Sequence, residues 1–576
     1  MTVLSFSSEH EAGAAIVQNG KIKAAVNEER YTRVKNQSGF PQNSIDAVLK
    51  IANVKPEQVD HVIIPEMSKA KDFFMNVVPL FPLNVFSKNG TPYPGFSDFV
   101  KQFLMSSYII AKSYLRVGFS HARDIRKLKK MFPQAKFHRV EHHVTHAASA
   151  YFTCTFDDAL IISADYWGDF ASVMVSRGKG KDIKVISRSY YPHSPGHYYA
   201  SVTKWFGFKA NRHEGKIVGL AAYGDPNSPA YEEIKDLLAC DGLKIKAPFM
   251  LGKMWHHRIP IFKNNLMKKL LKKYSREDIA AVMQRRFEEV FTELVTNCVK
   301  KYKVENVLLV GGSFANVKLN QRIFEIDGVN NVYVFPNMSD GGISSGAALY
   351  HDIRSNGAIK TNLKNVYLGP EFTNDEIKQA LEEANVKYEY YEDIETKLAQ
   401  LLAKNSIIAR FNGRMEYGPR ALGNRSILYP ATDPTVNDWL NKRLKRTEFM
   451  PFAPVTLAEH ADKCYKNIGG ARHTASFMTI TFDCTDFMKE KSPATVHVDG
   501  TARPQLISEE QNPSYYKILN EYYKITGIPS IVNTSFNMHE EPIVCTPRDA
   551  IRSFQQGHLE YLAIGNYLVK SEDIEK

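Results

Sequence analysis

The sequence predicts an α/β protein of two domains, and three observations carry that prediction. At 576 residues the chain is longer than one hydrophobic core fills. Two segments, beginning near Val3 and near Leu160, repeat a pattern of strand, acidic polar loop, strand, tight turn and strand. Two later apolar strands each run through glycines into a helix.

The first segment is Val3 to Phe6, then Ser7-Ser8-Glu9-His10-Glu11, Ala14 to Val17, a turn at Asn19-Gly20, and Ile22 to Val26. The second is Leu160 to Ile162, then an acidic loop from Asp165 to Asp169, Ala171 to Val175, the turn Arg177-Gly178-Lys179-Gly180, and Ile183 to Ile186. Such a duplication is what a nucleotide-binding fold of the actin/Hsp70 type requires, with the first hairpins of two related halves flanking a phosphate cleft. Asn306 to Val310 reads as a buried parallel strand. Gly311-Gly312-Ser313-x-x-Asn316 and a helix through Ile323 follow it. Glycines at such a junction let the backbone approach a phosphate, whose charge the helix N-terminus favours. Val332 to Phe335 leads in the same way into Asp340-Gly341-Gly342-x-Ser344-x-Gly346 and a helix, Ala347 to Tyr350. The stretch Arg354 to Phe372 has little periodicity and contains Gly357, Gly369 and Pro370. It divides a first domain, residues 1–358, from a linker, 359–375, and a second α/β domain, 376–576, opened by a helix from Asp375 to Ala384.

Hydrophobic content of 44% and charged content of 24% are ordinary for a globular chain and argue against disorder. The six cysteines show no C-x-x-C spacing and read as thiols in a reducing compartment. Met-Thr-Val-Leu-Ser-Phe lacks the features of a secretory leader. The longest apolar stretch, Phe103 to Leu115, is interrupted by Ser106, Ser107 and Lys112, well short of the roughly 20 residues of a bilayer span. A cytoplasmic protein without a transmembrane segment is expected.

The net charge of +12 is uneven. Ten Lys or Arg and no carboxylate lie between Gly242 and Arg276, and a second run is Arg123-x-x-Arg126-Lys127-x-Lys129-Lys130. Such runs are commonly solvated faces; the sharper reading is a site for an anionic acceptor, nucleic acid or membrane surface. Aromatic residues are sparse there, so sequence-specific nucleic-acid binding is not indicated.

In Glu141-His142-His143-Val144-Thr145-His146, a helix places His142 and His146 one turn apart on one face, a divalent-metal spacing. Asp165 and Asp340 lie at the ends of the strands Leu160 to Ile162 and Val332 to Phe335, so both carboxylates can converge on the same ion. Mixed imidazole and carboxylate ligation suits iron(II), manganese or zinc. Glu214-Gly215-Lys216 reads as a capped helix start or a nucleotide contact. The second domain carries Arg414, Arg420 and Arg425 among turn formers, followed by Lys442-Arg443-Leu444-Lys445-Arg446 before Pro451-Phe452-Ala453-Pro454. Arginine forks bind phosphate or carboxylate bidentately, so the cluster reads as an anion pocket.

At these residues the chain resembles the NodU/CmcH/TobZ carbamoyltransferase family over nearly its whole length. The matched stretches are Asn27-Glu28-Glu29-Arg30-x-x-Arg33-x-Lys35, His142-His143-x-x-His146-Ala147-Ala148-Ser149-Ala150-Tyr151, Glu214-Gly215-Lys216-x-x-Gly219-Leu220-Ala221-x-Tyr223-Gly224, Gly413-Arg414-Met415-Glu416-x-Gly418-Pro419-Arg420-Ala421-Leu422-Gly423-Asn424-Arg425-Ser426, and Asn533-Thr534-Ser535-Phe536-Asn537 with Glu541-Pro542-Ile543-Val544. The resemblance implies an actin-like first domain, similar to the threonylcarbamoyl-transferase that modifies tRNA, fused to a YrdC-like second domain. It implies metal ligation by His142, His146, Asp165 and Asp340, with iron(II) the metal by resemblance and manganese or zinc the alternatives. Glu214, Gly311 and Gly312 would line a nucleotide site. Arg420, Lys445, Arg503, Asn533 and Ser535 would hold carbamoyl phosphate, ATP or a carbamoyl-adenylate, and His10, Lys35 and Arg33 would face the carbamoyl group. The reaction implied is ATP-dependent transfer from carbamoyl phosphate to a hydroxyl of a small-molecule or sugar acceptor, which the basic segments suggest is anionic. The alternatives are a tRNA threonylcarbamoyl-type transferase and a nucleotide-binding member without catalysis. Three positions depart from the family pattern: Glu11 stands where an Asp is usual, Tyr166-Trp167 brings bulk into a Gly-containing loop, and Thr447 replaces an Arg.

Overall fold

Two five-stranded sheets with matching strand order build the first part of the chain in this computed structural model, which describes residues 1–68, 71, 122–247, 266–445 and 451–573. The first sheet contains β1 (Thr2–Ser7), β2 (Gly13–Gln18), β3 (Lys21–Asn27), β4 (His61–Ile64) and β5 (Lys136–Arg139), in the order β3-β2-β1-β4-β5. The second contains β6 (Asp158–Gly168), β7 (Ala171–Lys179) and β8 (Asp182–Tyr190), then β11 (Asn306–Val310) and β12 (Asn331–Val334). Read from the β8 edge, its order is β8-β7-β6-β11-β12. β4 is parallel to β1 and β5, and β11 is parallel to β6 and β12. A short hairpin, β9 (Ala239–Asp241) and β10 (Lys244–Lys246), stands apart from both sheets.

Two helices position the chemistry of this part. α1 (His142–Tyr151) packs on β6 and β11, and α5 (Ile343–Asn356) packs on β1, β4 and α1. A Cβ on Gly346 would lie 2.0 Å from the Thr145 carbonyl oxygen, so only glycine lets α5 approach α1 this closely. Behind the second sheet runs α3 (Arg276–Tyr302), with α2 (Pro195–Trp205) and α4 (Val317–Phe324) beside it. Its apolar residues recur at helical spacing, with Ile279, Met283, Phe287, Val290, Leu294 and Cys298 all buried. Ser275 caps its start by accepting the Asp278 N–H, and Lys303 closes it in the left-handed conformation.

Three expectations are corrected here. β6 continues through Asp165 to Gly168 with a bulge after Ala164, so the segment expected as an acidic loop is mostly strand and Asp165 lies within it. The chain turns only at Asp169-Phe170, both at positive φ. Asp340 does not end a strand; β12 stops at Val334, and Asp340 begins a single 3-10 turn leading directly into α5. That helix starts at Ile343 and runs 14 residues, longer than the expected Ala347 to Tyr350 because Ser344 and Ser345 are accommodated in its first turn.

The chain separates into two compact units: residues 1–9, 15–22 and 54–362, and residues 10–14, 23–53 and 363–576. The first domain expected from sequence, 1–358, is contiguous; instead, residues 10–14 and 23–53 are part of the second unit. Arg30 donates to the Gly418 carbonyl at 2.6 Å, and Arg33 donates to the carbonyls of Pro542 at 2.6 Å and Ile543 at 2.8 Å. Glu28 accepts from the N–H and hydroxyl of Ser44 and from the Asn43 amide, anchoring the helix Gln42–Ala52.

The second unit centres on an eight-stranded sheet of β13 (Glu389–Tyr390), β14 (Ile408–Phe411), β15 (Arg425–Pro430), β16 (Ala453–Leu457), β19 (Gln505–Ile507), β20 (Ser530–Ser535), β21 (Tyr561–Ile564) and β22 (Tyr567–Lys570). Its order is β13-β22-β21-β14-β15-β20-β16-β19, and β17 (Phe482–Asp483) pairs with β18 (Thr501–Ala502) outside it. Alternate residues feed two cores. Ile408, Leu428 and Ile531 face α6 (Ile394–Leu402) and α7 (Pro513–Thr526), while Ala409, Ile427 and Val532 face α8 (Pro547–Gln556). Phe103 to Leu115, Arg446-Thr447 and most of the basic segment 244–273 lie outside the described residues.

Candidate metal centre

Four side chains expected from sequence to act together do converge. His142 and His146 project from one face of α1 with their Nε2 atoms 3.1 Å apart. Asp340 Oδ1 lies 3.4 Å from His142 Nε2 and 3.3 Å from His146 Nε2. Asp165 Oδ2 lies 4.0 and 3.3 Å from the same two nitrogens. An ion bound tetrahedrally at about 2.0–2.1 Å separates its ligands by about 3.3 Å, close to these spacings. Asp165 Oδ2, Asp340 Oδ1 and His146 Nδ1 are buried without hydrogen-bond partners. Burying two carboxylate oxygens without donors is costly unless a cation satisfies them. The donor set therefore fits a divalent metal such as iron(II), manganese or zinc; the same groups are gathered closely enough to hold one.

The electrostatics of α1 separate adjacent histidines. Burial disfavours a charged ring at His142, but the carboxylates of Asp340 and Asp165 outweigh it and raise the imidazole well above its ordinary 6.5. Burial alone would raise Asp165, and the attraction of His142 and His146 instead holds it well below the usual carboxylate range. At His143, burial and then the charge of His142 and His146 push the imidazole well below 6.5. His143 is satisfied on both sides, by the Ser163 hydroxyl and by the Ala171 carbonyl at 3.1 Å. It is a packing residue that locks α1 onto the sheet.

Asp169, which sequence alone does not single out as functional, anchors the start of the helix that carries His142 and His146. Its Oδ2 accepts the His142 N–H at 2.8 Å and the Met67 N–H at 2.9 Å. The signal in sequence would have been an acid following Gly168, but nothing in the spacing ties it to residue 142. Tyr166 and Trp167, where bulk departs from the family pattern, pack on aromatic neighbours: Tyr166 stacks on His197 with centroids 4.9 Å apart, and Trp167 lies against Tyr191.

The diglycine junction adjoins this centre. Gly311 holds φ +99°, and a Cβ there would lie 2.2 Å from the Ala164 carbonyl oxygen. Its N–H donates to the Met338 carbonyl at 2.7 Å, tying the end of β11 to the loop that delivers Asp340. A Cβ on Gly312 would sit 3.1 Å from Asp165 Oδ1, and the neighbouring Ser313 hydroxyl is buried without a partner. His142 also lines a cleft with Ser7, Ser8, Glu9 and Glu66. Glu214 opens the helix Glu214–Ala221, where its carboxylate accepts the Asn211 N–H at 2.5 Å.

In the second unit the arginine cluster sorts into two kinds. Arg425, fully buried, donates to the carbonyls of Asn412, Gly413 and Asn424 and lies 3.7 Å over the Phe411 ring. Arg414 donates to the carbonyls of Gly369, Leu368 and Lys23. Both build the loop. Glu416 likewise gathers the N–H groups of Leu422, Asn424 and Arg425 on one carboxylate oxygen at 2.8–3.1 Å. Arg420 and Arg503 are half-buried, and Lys445 is exposed. Asn533 and Ser535 lie on β20, where Asn533 donates to Gln505 at 2.7 Å. His10 is half-buried with Asn36 3.5 Å from its ring, Lys35 is exposed, and the Arg33 guanidinium is occupied as described above.

Comparison with known proteins assigns the family. Residues 3–349 match the family described as Carbamoyltransferase N-terminus and residues 399–571 match Carbamoyltransferase C-terminus. An uncharacterised protein of Synechocystis sp. is 31% identical over 97% of this chain and 95% of its own length. Nodulation protein NolNO of Sinorhizobium fredii is 30% identical over 97% of this chain and 79% of its own length. Among solved structures, HypF of T. kodakarensis aligns with 62% of this chain and 48% of its own, at 13% identity and TM-score 0.35. The chain belongs to the carbamoyltransferase family and is a carbamoyltransferase.

Proposed function

We propose that this enzyme moves the carbamoyl group of carbamoyl phosphate, by way of ATP and a carbamoyl-adenylate, to a hydroxyl of a small-molecule or sugar acceptor, with a divalent metal in the first unit. The observation that carries the reading is the meeting of His142, His146, Asp165 and Asp340 beside the Gly311-Gly312 junction, with two carboxylate oxygens buried without a hydrogen-bond donor. The matching strand order of the two five-stranded sheets supports the actin/Hsp70-like reading of the first unit, and so a nucleotide in its cleft.

The chemistry divides into two steps. Carbamoyl phosphate yields inorganic phosphate and carbamate with water, and a carbamate oxygen attacks the α-phosphorus of ATP, forming the P–O bond as pyrophosphate leaves. Arg420 and Arg503, both half-buried, would stabilise charge on the phosphoryl oxygens, with Lys445, Asn533 and Ser535 holding the anion. In the second step the acceptor hydroxyl oxygen attacks the carbamoyl carbon, AMP departs with the bonding pair, and the hydroxyl proton passes to a base, for which His10 is the candidate. A bound divalent ion would supply Lewis-acid polarisation of a phosphate or carbonyl oxygen. Gly311 and Gly312 would admit phosphate oxygens close to the backbone, Glu214 would line the nucleotide site, and Lys35 would add positive charge. Arg33, with its donors on Pro542 and Ile543, would act by fixing the segment that carries Lys35.

The test is pyrophosphate release on mixing the protein with ATP and carbamoyl phosphate. Release that needs both substrates and falls at least roughly 100-fold in Arg420→Ala is expected, as for loss of one charge-stabilising donor. No release with any acceptor present would overturn the adenylation step.

A further inference from the structure

A second group of imidazoles lies at the other end of α5. His61 opens β4, His138 stands in β5, and His351 is carried by α5. His61 pairs with Lys136 and Ile63 with His138, so the two strand histidines fall on the same face of the sheet, diagonally across adjacent strands. α5 packs on β4 and brings His351 over them. The ring centroids are 4.3, 4.5 and 5.0 Å apart, and one nitrogen from each ring lies within 4.8 Å of the others.

Two features separate this group from an ordinary packed cluster. His351 is 93% buried, being 7% exposed, and its Nε2 has no hydrogen-bond partner. A buried ring nitrogen left in this state is normally satisfied by a donor, a water or a metal. Burial, reinforced by the neighbouring His138 and His61, pushes the His351 imidazole down to about 4. Burial first, with His138 second, lowers His61; burial first, with Lys136 second, lowers His138. All three rings are neutral near pH 7; His61 Nδ1 and His138 Nε2 share a hydrogen bond at 2.9 Å, which a metal would replace as the donor ring shifts to its other tautomer.

We propose that His61, His138 and His351 form a second divalent-metal site, separate from the His142 centre, that takes a nitrogen-preferring ion such as Zn2+ and leaves its fourth position to water or an anion. Three neutral nitrogens with no carboxylate distinguish it chemically from the mixed centre. Zn–N bonds of about 2.0–2.1 Å at tetrahedral angles place ligand nitrogens about 3.3 Å apart. His61 Nδ1 and His138 Nε2 are 2.9 Å apart, so filling the site requires those rings to separate by about 0.4 Å, within the reach of small side-chain rotations. The ion would staple α5 to β4 and β5, the edge of the first sheet.

The test uses Zn2+ alone on the full chain, freed of metal by a chelator, with stoichiometry read by competition against a chromogenic chelator. Wild type is expected to bind two equivalents, His142→Ala/His146→Ala one, and His61→Ala/His138→Ala one. Zn2+ should also raise the thermal midpoint of the His142→Ala/His146→Ala protein. Should the His61→Ala/His138→Ala protein lose its far-UV circular dichroism, the single variant His61→Ala, at a half-exposed position, decides: it should weaken one equivalent at least tenfold. An unchanged stoichiometry and affinity in the variants of His61 and His138, or no Zn2+-dependent shift in the His142→Ala/His146→Ala protein, would overturn the site.

Discussion

His142 and His143 are neighbours in the chain, yet their surroundings drive their imidazoles in opposite directions. The difference has a consequence for stability in the absence of metal. His142 is raised above its unfolded value of 6.5, so its contribution is complete below pH 6.5 and is lost as pH rises through the raised value. The depressed His143 contributes fully above 6.5, and the depressed Asp165 fully above its usual 3.8, so neither changes further in that range. The chelator-treated protein should therefore melt at progressively lower temperature as pH rises beyond 6.5, and His142→Gln should remove that slope. A flat or rising midpoint in scanning fluorimetry would contradict the assignment. If His146 is a ligand as proposed, His146→Ala should lower metal affinity by at least about 100-fold, the upper end of what losing a mere supporting contact costs. Equilibrium dialysis reads this directly.

At the scale of elements, the Gly311-Gly312 junction sets how closely β11 approaches β6 beside the candidate centre. Gly311 combines φ +99° with a backbone approach so close that a Cβ would stand 2.2 Å from the Ala164 carbonyl oxygen. Gly311→Ala should cost at least about 1–3 kcal/mol from backbone strain alone, seen as a lower urea midpoint. In the second unit, Arg425→Met strands the carbonyls of Asn412 and Gly413, while those of Asn424 and Pro370 keep backbone donors, and should cost about 2 kcal/mol or more, each stranded buried acceptor being worth about 1–3. These cases mark what is legible from sequence. The four-residue spacing of His142 and His146, the two hairpin triplets and the Gly311-Gly312 junction are legible because period and turn chemistry are local. Which arginine is structural is not, because Arg414, Arg420 and Arg425 look alike until the carbonyls around them are in place. Asp169 escapes for a related reason: its partners, Met67 and His142, are distant in the chain. The His61, His138 and His351 group escapes entirely, since three separate elements bring it together.

For the whole molecule, the assignment of residues 10–14 and 23–53 to the second unit means that neither unit is one continuous stretch of chain. A fragment of residues 363–576 would strand the carbonyls of Gly418, Pro542 and Ile543, which Arg30 and Arg33 satisfy in the intact chain. That fragment should be less soluble and more protease-sensitive than the same residues within the full protein, as limited proteolysis would show. The membership of the family settles the reaction type as carbamoyl transfer, and the central claim of the proposal is a metal held by His142, His146, Asp165 and Asp340. Anomalous scattering from crystals of the full chain loaded with iron(II) tests this most directly. The account predicts a peak about 2.0–2.3 Å from His142 Nε2, His146 Nε2, Asp165 Oδ2 and Asp340 Oδ1; a loaded crystal with iron bound elsewhere and none among these four atoms would contradict it.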